Sequence, residues 1–163
     1  MSDAVDAIVT QWRELRSDLD LQAMALVGRL GRVASLIERR VSAALEAHDL
    51  TIADFDVLAA LRRSGAPHRL NPTQLYKTLM LTSGTITNRL DKLEQRGLIA
   101  RLADPEDRRG TLVALTAKGK TAVDAAVVDH VANETRLLAT LSKTERTAFD
   151  RTLRKLLASL EET

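Results

Sequence analysis

Apolar positions recur three and four residues apart over most of the chain, which is the spacing of an amphipathic helix. The first such stretch runs from about Ala4 to Arg16. A second, much longer one runs from about Leu19 to Ala47, and Asp18 or Asp20 is the candidate N-cap before it. A helix of this length in a small protein needs a packing partner along its apolar stripe.

The middle of the chain contains shorter helical patterns with clear start signals. Thr51 is the candidate N-cap of a third helix, which has Asp54 in its first turn and ends at 64–67, where Gly and Pro stop it. After a short extended link at 68–70, Asn71 fits an N-cap whose capping box is completed by Gln74. This fourth helix reaches about 79 or 80.

A tight link at 81–84 leads into a fifth helix that runs to about Arg96, and Gly97 is a suitable residue just past its end. Two short apolar strands follow, Leu98–Leu102 and Thr111–Leu115, joined by a polar loop that is too long for a tight turn. Two short helices, a brief turn and a β-hairpin in this order are the elements of a winged helix-turn-helix.

The C-terminal part of the chain returns to helical spacing. Thr116 is the candidate cap of a helix over about Ala117–Leu141, and a last helix runs through Leu160. The predicted fold is therefore mainly α with a small β-hairpin. Its predicted parts are an N-terminal helical region at 1–50, the winged helix-turn-helix at 51–116 and two C-terminal helices at 117–163.

Composition excludes several classes of function. The sequence has no Cys, which excludes disulfides, thiol nucleophiles and thiolate metal sites. The three His residues fit no metal-ligand spacing, and no apolar run reaches the roughly 18 residues that a membrane helix needs. There is no nucleotide-binding or hydrolase motif and no signal-peptide pattern, so we expect a cytoplasmic protein that is not an enzyme and needs no cofactor.

The net charge of +2 is unevenly distributed. Residues 1–50 carry 6 basic and 8 acidic side chains, residues 51–115 carry 10 and 7, and residues 116–163 carry 8 and 7. The positive excess thus lies in the helix-turn-helix and hairpin, where contact with DNA phosphates is expected.

The predicted recognition helix has small and hydrogen-bonding side chains on its outward positions, which permit close approach to bases and phosphates. These candidates for DNA contact are Ser83, Thr85, Thr87, Asn88 and Lys92. The loop of the hairpin adds Arg108 and Arg109, since an arginine on such a loop fits the minor groove.

The stretch from Leu81 to Leu98, the loop Asp104-Pro105-Glu106-Asp107-Arg108-Arg109-Gly110 and the junction 113–119 closely resemble the MarR family of bacterial transcription regulators. The resemblance covers essentially the whole chain. It implies a homodimer that is built from the N- and C-terminal helices and binds a pseudo-palindromic operator, most often as a repressor. It also implies that Arg109 enters the minor groove and that Asp107 orients it.

The segment 11–20 resembles the N-terminal extension of the urate-responsive branch of this family, which includes the PecS-type and TamR-type regulators. The resemblance implies an effector site formed by four residues of this chain: Trp12, Asp56, Arg89 and Arg101. Arginines and a stacking ring suit a planar anion such as urate. It leaves the effector open between a purine and a citrate- or aconitate-like carboxylate. The other interpretations are an architectural DNA-binding protein without an effector and, more remotely, a helical enzyme acting on small molecules.

Overall fold

The computed structural model describes residues 2–79, 86–105, 107 and 110–162, and of Ile86 only the backbone. The described residues form seven helices and three short strands. The helices are α1 (Ala4–Leu15), α2 (Gln22–Glu46), α3 (Ile52–Arg63), α4 (Pro72–Leu79), α5 (Ile86–Gln95), α6 (Ala117–Leu137) and α7 (Lys143–Glu161). The strands are β1 (Arg69–Leu70), β2 (Ile99–Ala103) and β3 (Thr111–Leu115).

The starts of the central helices follow the capping residues in the sequence. The Thr51 hydroxyl accepts the Asp54 N–H and the Asp54 carboxylate accepts the Thr51 N–H, both at 3.1 Å, which completes a capping box for α3. Asn71 and Gln74 exchange the same pair of hydrogen bonds at 2.8 and 3.0 Å before α4. These predicted helix starts are confirmed.

Two predicted helix bounds differ from the structure. Helix α2 begins at Gln22 rather than Leu19 because the Asp20 carboxylate accepts the Gln22 N–H at 3.0 Å, whereas Asp18 pairs with Arg16 at 2.6 Å. Helix α6 ends at Leu137 rather than Leu141, because residues 138–141 form turns that deliver Ser142 in the extended conformation of the next N-cap.

The chain divides into two compact units, one ending at Arg40 and one beginning at Val41. In the first, Val5 and Val9 of α1 pack with Leu21 and Ala25. Arg29 of α2 forms ion pairs with Asp3, at 2.7 Å, and with Asp6. The division into 1–50, 51–116 and 117–163 concerns the roles of these regions and stays a prediction.

The second unit has the larger core, and α3 lies at its centre. The α3 side chains Val57, Leu58 and Leu61 have no exposed surface, and α3 packs against α4, α6 and β3. At the start of α6, Gly119 lies directly against the carbonyl group of Leu98. Burial of this aliphatic surface is the main force that fixes the helices and the hairpin relative to each other within this unit.

The hairpin belongs to a three-stranded antiparallel sheet of order β1-β3-β2. In β3, Ala114 pairs with Arg69 of β1 and also with Ala100 of β2. The sequence predicted only an extended link at 68–70, so β1 is a correction: a strand of two residues has no periodicity to detect. Strand β2 begins one residue later than predicted because Leu98, after Gly97 with φ 68°, closes the end of α5 by donating to the Leu93 carbonyl.

Within the described residues, no helix combines the length and apolarity needed to cross a membrane. The same residues contain no group of three or more His, Asp or Glu side chains placed to hold a metal ion.

Candidate nucleic-acid interface and ligand cleft

Helix α5 separates an apolar face from a polar one. Its Leu90 and Leu93 are buried against the core of the second unit. On the opposite side Thr87, Asn88 and Lys92 are exposed to solvent. The structure therefore presents these three candidates for DNA contact on one helix, on the face that a groove of DNA can reach.

The other candidates for DNA contact are only partly covered by the structure. Ser83, Thr85, Arg108 and Arg109 lie outside the described residues. Asp107 is exposed, and its backbone carbonyl accepts the Gly110 N–H at 2.8 Å. The orientation of Arg109 by Asp107 stays a prediction.

An open cleft of about 530 Å³ lies beside α5 in the second unit. It is bounded by the C-terminal part of α2, the N-terminus of α3 and the polar face of α5. Its charged side chains are Arg89, Lys92 and Asp54, and its uncharged polar side chains are Ser42, Thr51 and Asn88. Two cations against one carboxylate favour an anionic ligand.

Arg89 is the cation most enclosed by this cleft. Its side chain is 20% exposed, with one terminal nitrogen 3.3 Å from the Thr51 hydroxyl and 3.7 Å from the Asp54 carboxylate. Its Nε–H is buried and has no hydrogen-bond partner among the described residues. Because an unpaired buried donor costs free energy, an acceptor that reaches this group would be bound favourably.

Asp54 joins two arginines of the recognition-helix segment to the start of α3. Besides the contact with Arg89, the Asp54 carboxylate lies 3.5 Å from the guanidinium of Arg96, and the Asp54 side chain is 13% exposed. Arg96 also reaches the Asp49 carboxylate at 2.9 Å and the Asp49 carbonyl oxygen. The sequence indicated Asp54 only as a capping residue and did not single out Arg96, because their pairing depends on the approach of two separate helices.

Asp56 lies one position beyond Phe55, and the ring centroids of Phe55 and His130 are 4.8 Å apart. Burial raises the pKa of the Asp56 carboxyl, and the charges of Arg63, His130 and Arg89 oppose this rise. Asp56 forms no ion pair within the described ranges, and the carboxylate that Arg89 contacts is that of Asp54. The charge of Arg89 thus affects the pKa of Asp56, although Asp56 does not line the cleft.

Arg101 is held by two acidic residues of α5. Its guanidinium is 2.6 Å from the Asp91 carboxylate and also pairs with Glu94, and its backbone N–H donates to Glu94 at 3.0 Å. These contacts connect β2 to α5, and Arg101 does not line the cleft. An effector that binds Arg101 has to compete with both carboxylates.

Trp12 lies on α1 in the first unit, and the residue is 44% exposed. Of the four residues predicted for effector binding, the structure places only Arg89 in the cleft. The joint site of Trp12, Asp56, Arg89 and Arg101 stays a prediction.

Comparison with known proteins decides the family. A model described as the MarR family matches residues 48–110. The HTH-type transcriptional regulator PecS of Dickeya dadantii is 40% identical over 157 residues, which cover 96% of this chain and 92% of PecS. This chain belongs to the MarR family. It is a transcriptional regulator and not an enzyme, as the sequence predicted.

Two solved structures share the fold. A mutant MarR from Escherichia coli, complexed with operator DNA, is 29% identical with a TM-score of 0.74 and covers 84% of this chain and 97% of its own. BpsR of Bordetella bronchiseptica, whose DNA binding is regulated by 6-hydroxynicotinic acid, is 29% identical with a TM-score of 0.71 and covers 79% and 90%. The predicted winged helix-turn-helix is confirmed.

The raised pKa of Asp56 gives a prediction for this MarR-family protein. The folded state binds a proton at Asp56 more tightly than the unfolded state, so this carboxyl favours folding at acidic pH and opposes it as the pH rises through the folded-state pKa. We expect Asp56→Asn to raise Tm at pH 7, because the variant no longer has to bury an ionised carboxylate. The gain should vanish below about pH 4.

Thermal unfolding across this pH range tests the prediction. Asp124→Asn is the matched control with the opposite sign, since hydrogen bonds from Arg62 and Lys120 lower the pKa of Asp124. That variant should lose stability at neutral pH. A lower Tm for Asp56→Asn than for the wild type at pH 7 would contradict the assignment.

Proposed function

We propose that this protein is a dimeric, ligand-responsive transcriptional regulator that binds a pseudo-palindromic operator and is released from it by a small anionic effector. The observation that carries this proposal is the position of Arg89. It is on the helix whose polar face is available to DNA, and it also lines a cationic cleft. A ligand that binds Arg89 therefore acts directly on the DNA-reading element.

For DNA binding, the exposed side chains of α5 supply the hydrogen-bonding groups. Thr87 and Asn88 are suited to base edges or phosphates, and Lys92 to phosphates. The Escherichia coli relative, whose structure was solved with operator DNA, supports DNA binding by this fold. In the proposed complex the contacts are completed by Ser83, Thr85 and the Asp107, Arg108 and Arg109 loop. Two copies on a two-fold axis place two recognition helices on two half-sites.

For effector binding, we infer that an anionic group of the ligand takes Arg89 from Asp54. Asp54 then keeps Arg96, which follows α5, but α5 itself loses the ion pair that Arg89 makes with the start of α3. A ligand that prefers the state without this pair shifts the equilibrium away from the DNA-binding arrangement. The regulation of BpsR by a planar heterocyclic acid supports an effector of this kind.

The effector chemistry that we propose first is a purine anion such as urate. A planar anion suits the guanidinium of Arg89, and an aromatic ring suits the flat face of such a ligand. The resemblance adds Trp12, Asp56 and Arg101 to this proposal, and none of the three is among the residues that line the cleft beside α5. A citrate- or aconitate-like carboxylate is the second candidate, because Arg89 and Lys92 can also form charge-assisted hydrogen bonds to carboxylates.

Fluorescence anisotropy tests both parts of the proposal, with labelled duplexes taken from the DNA upstream of the gene that encodes this protein. Binding should weaken steeply with salt, because phosphate contacts release counterions. Urate or xanthine should weaken it by roughly 5- to 150-fold, the usual range of allosteric coupling. A response to citrate or aconitate alone assigns the carboxylate class, and binding that none of the four compounds changes would leave an architectural DNA-binding protein.

A further inference from the structure

A second pocket of about 300 Å³ is lined by Arg96, the arginine that also pairs with Asp54 of the cleft beside α5 (the effector cleft). It is formed by the connection between α2 and α3, the residues after α5 and the start of α6. Leu50 and Leu98, both buried, supply apolar lining, and the polar lining is His48, Asp49, Arg96 and Lys118. The proposed function uses one residue of this pocket, Arg96, and only through its ion pair with Asp54.

The pocket has a positive charge that is not fully compensated. The ammonium group of Lys118 donates to the Arg96 carbonyl oxygen at 2.8 Å, and in the part of the chain that the structure describes no carboxylate forms an ion pair with it. Lys120, two positions along α6, is instead paired with Asp124 at 2.8 Å. An anion next to Lys118 would therefore be attracted without displacing an existing ion pair of that residue.

Asp49 is the carboxylate that such an anion would replace. It contacts Arg96 at 2.9 Å, yet its side chain is 96% exposed, so returning it to water costs little. The Asp49 backbone carbonyl also accepts from Arg96 and would hold the guanidinium in place. His48 forms one wall, and its Nε2 atom lies 2.8 Å from a carboxylate oxygen of Asp129.

We propose that this pocket is a binding site for a compact oxyanion of the phosphate or carboxylate type, separate from the effector cleft. Lys118 supplies a point charge, and Arg96 supplies a planar pair of donors that matches two oxygens of the anion. The site does not depend on the proposed effector function, since Arg89 and the cleft take no part in it.

Titration of the full-length protein with inorganic phosphate at constant ionic strength, followed through backbone amide resonances by NMR, tests the proposal. We expect saturable shifts at Leu98, Lys118 and Ala122 at millimolar phosphate. Lys118→Ala should weaken phosphate binding about fivefold, equivalent to the roughly 1 kcal/mol of an exposed charge pair. A parallel titration with acetate decides between phosphate and carboxylate as the preferred oxyanion.

Two further variants make the test specific. Asp49→Asn removes the competing carboxylate and should tighten phosphate binding about fivefold. Asparagine tolerates the positive φ of 56° at this position, so the backbone is preserved. Lys120→Ala, the matched control, should leave the phosphate affinity unchanged.

Three results would overturn the proposal. They are the absence of saturable shifts around Lys118, an equal loss of affinity in Lys120→Ala, and loss of the shifts in Arg89→Ala, which would place the phosphate in the effector cleft. Phosphate binding that survives in Arg89→Ala supports the second site even if the effector proposal fails.

Discussion

Replacing Arg89 with alanine is expected to weaken effector binding by about 10- to 100-fold, the loss that follows when a charge-assisted hydrogen bond of roughly 1.5–3 kcal/mol is removed. Arg89 is the most enclosed cation of the cleft, and its buried Nε–H has no hydrogen-bond acceptor among the described residues. Isothermal titration with urate, and with citrate if urate does not bind, measures the loss directly.

The same variant should still fold, which keeps the result interpretable. Asp54 retains Arg96 at 3.5 Å and its capping hydrogen bonds with Thr51, so no carboxylate is left without a partner. We expect a loss of about 1 kcal/mol or less in the free energy of unfolding.

Two control variants sharpen this test. Arg89→Lys keeps the charge but loses the planar pair of donors, and should give an intermediate effector affinity. Trp12→Phe, in the first unit, should weaken the response to a planar effector while DNA binding is retained. An Arg89→Ala protein that binds the effector as tightly as the wild type would exclude the cleft as the effector site.

Replacing Gly119 with alanine is expected to destabilise the second unit by about 3 kcal/mol or more, at the upper end of what overpacking costs. A Cβ atom at this position would lie 1.9 Å from the Leu98 carbonyl oxygen and 3.0 Å from the Leu115 side chain. The carbonyl cannot easily retreat, because it accepts the Thr116 N–H at 3.2 Å and the Thr116 hydroxyl at 3.1 Å.

Differential scanning calorimetry should show a fall in Tm of roughly 6–12 °C for Gly119→Ala, or failure to fold. Gly31→Ala is the matched control, since it is also a helical glycine but a Cβ there meets nothing within 4 Å. That variant should be as stable as the wild type or about 0.5–1 kcal/mol more stable. An unchanged Tm for Gly119→Ala would show that α6 and Leu98 are not in the close contact described.

The sequence was most informative where a few neighbouring residues decide the structure. Capping pairs such as Thr51 with Asp54 and Asn71 with Gln74 satisfy their own helix ends, so their pattern predicts the helix start without knowledge of the rest of the fold. Gly97 is of the same kind, because its positive φ is a local requirement of the helix end.

The pairing of the charged residues was not predictable in this way. The resemblance implied that Asp56 and Arg89 belong to one effector site, and it did not indicate that the carboxylate paired with Arg89 is that of Asp54. Residues 54 and 56 are two positions apart on α3 and therefore lie on nearly opposite faces of the helix, so only one of them can face Arg89. Which face of α3 meets α5 depends on side-chain packing between the helices.

The short strand β1 allows opening of the hairpin to be distinguished from detachment of the sheet from the helix-turn-helix. Because β3 is the central strand, its Leu115 amide donates to the His68 carbonyl, at 2.9 Å, in the segment that leads into α4. Residues of β3 that face β2 exchange their amide hydrogens when the hairpin opens, whereas Leu115 exchanges only when the sheet detaches from the start of the helix-turn-helix. Amide exchange at Leu115 thus reports whether an effector or DNA loosens the contact between the hairpin and β1. It does not report opening of the hairpin itself.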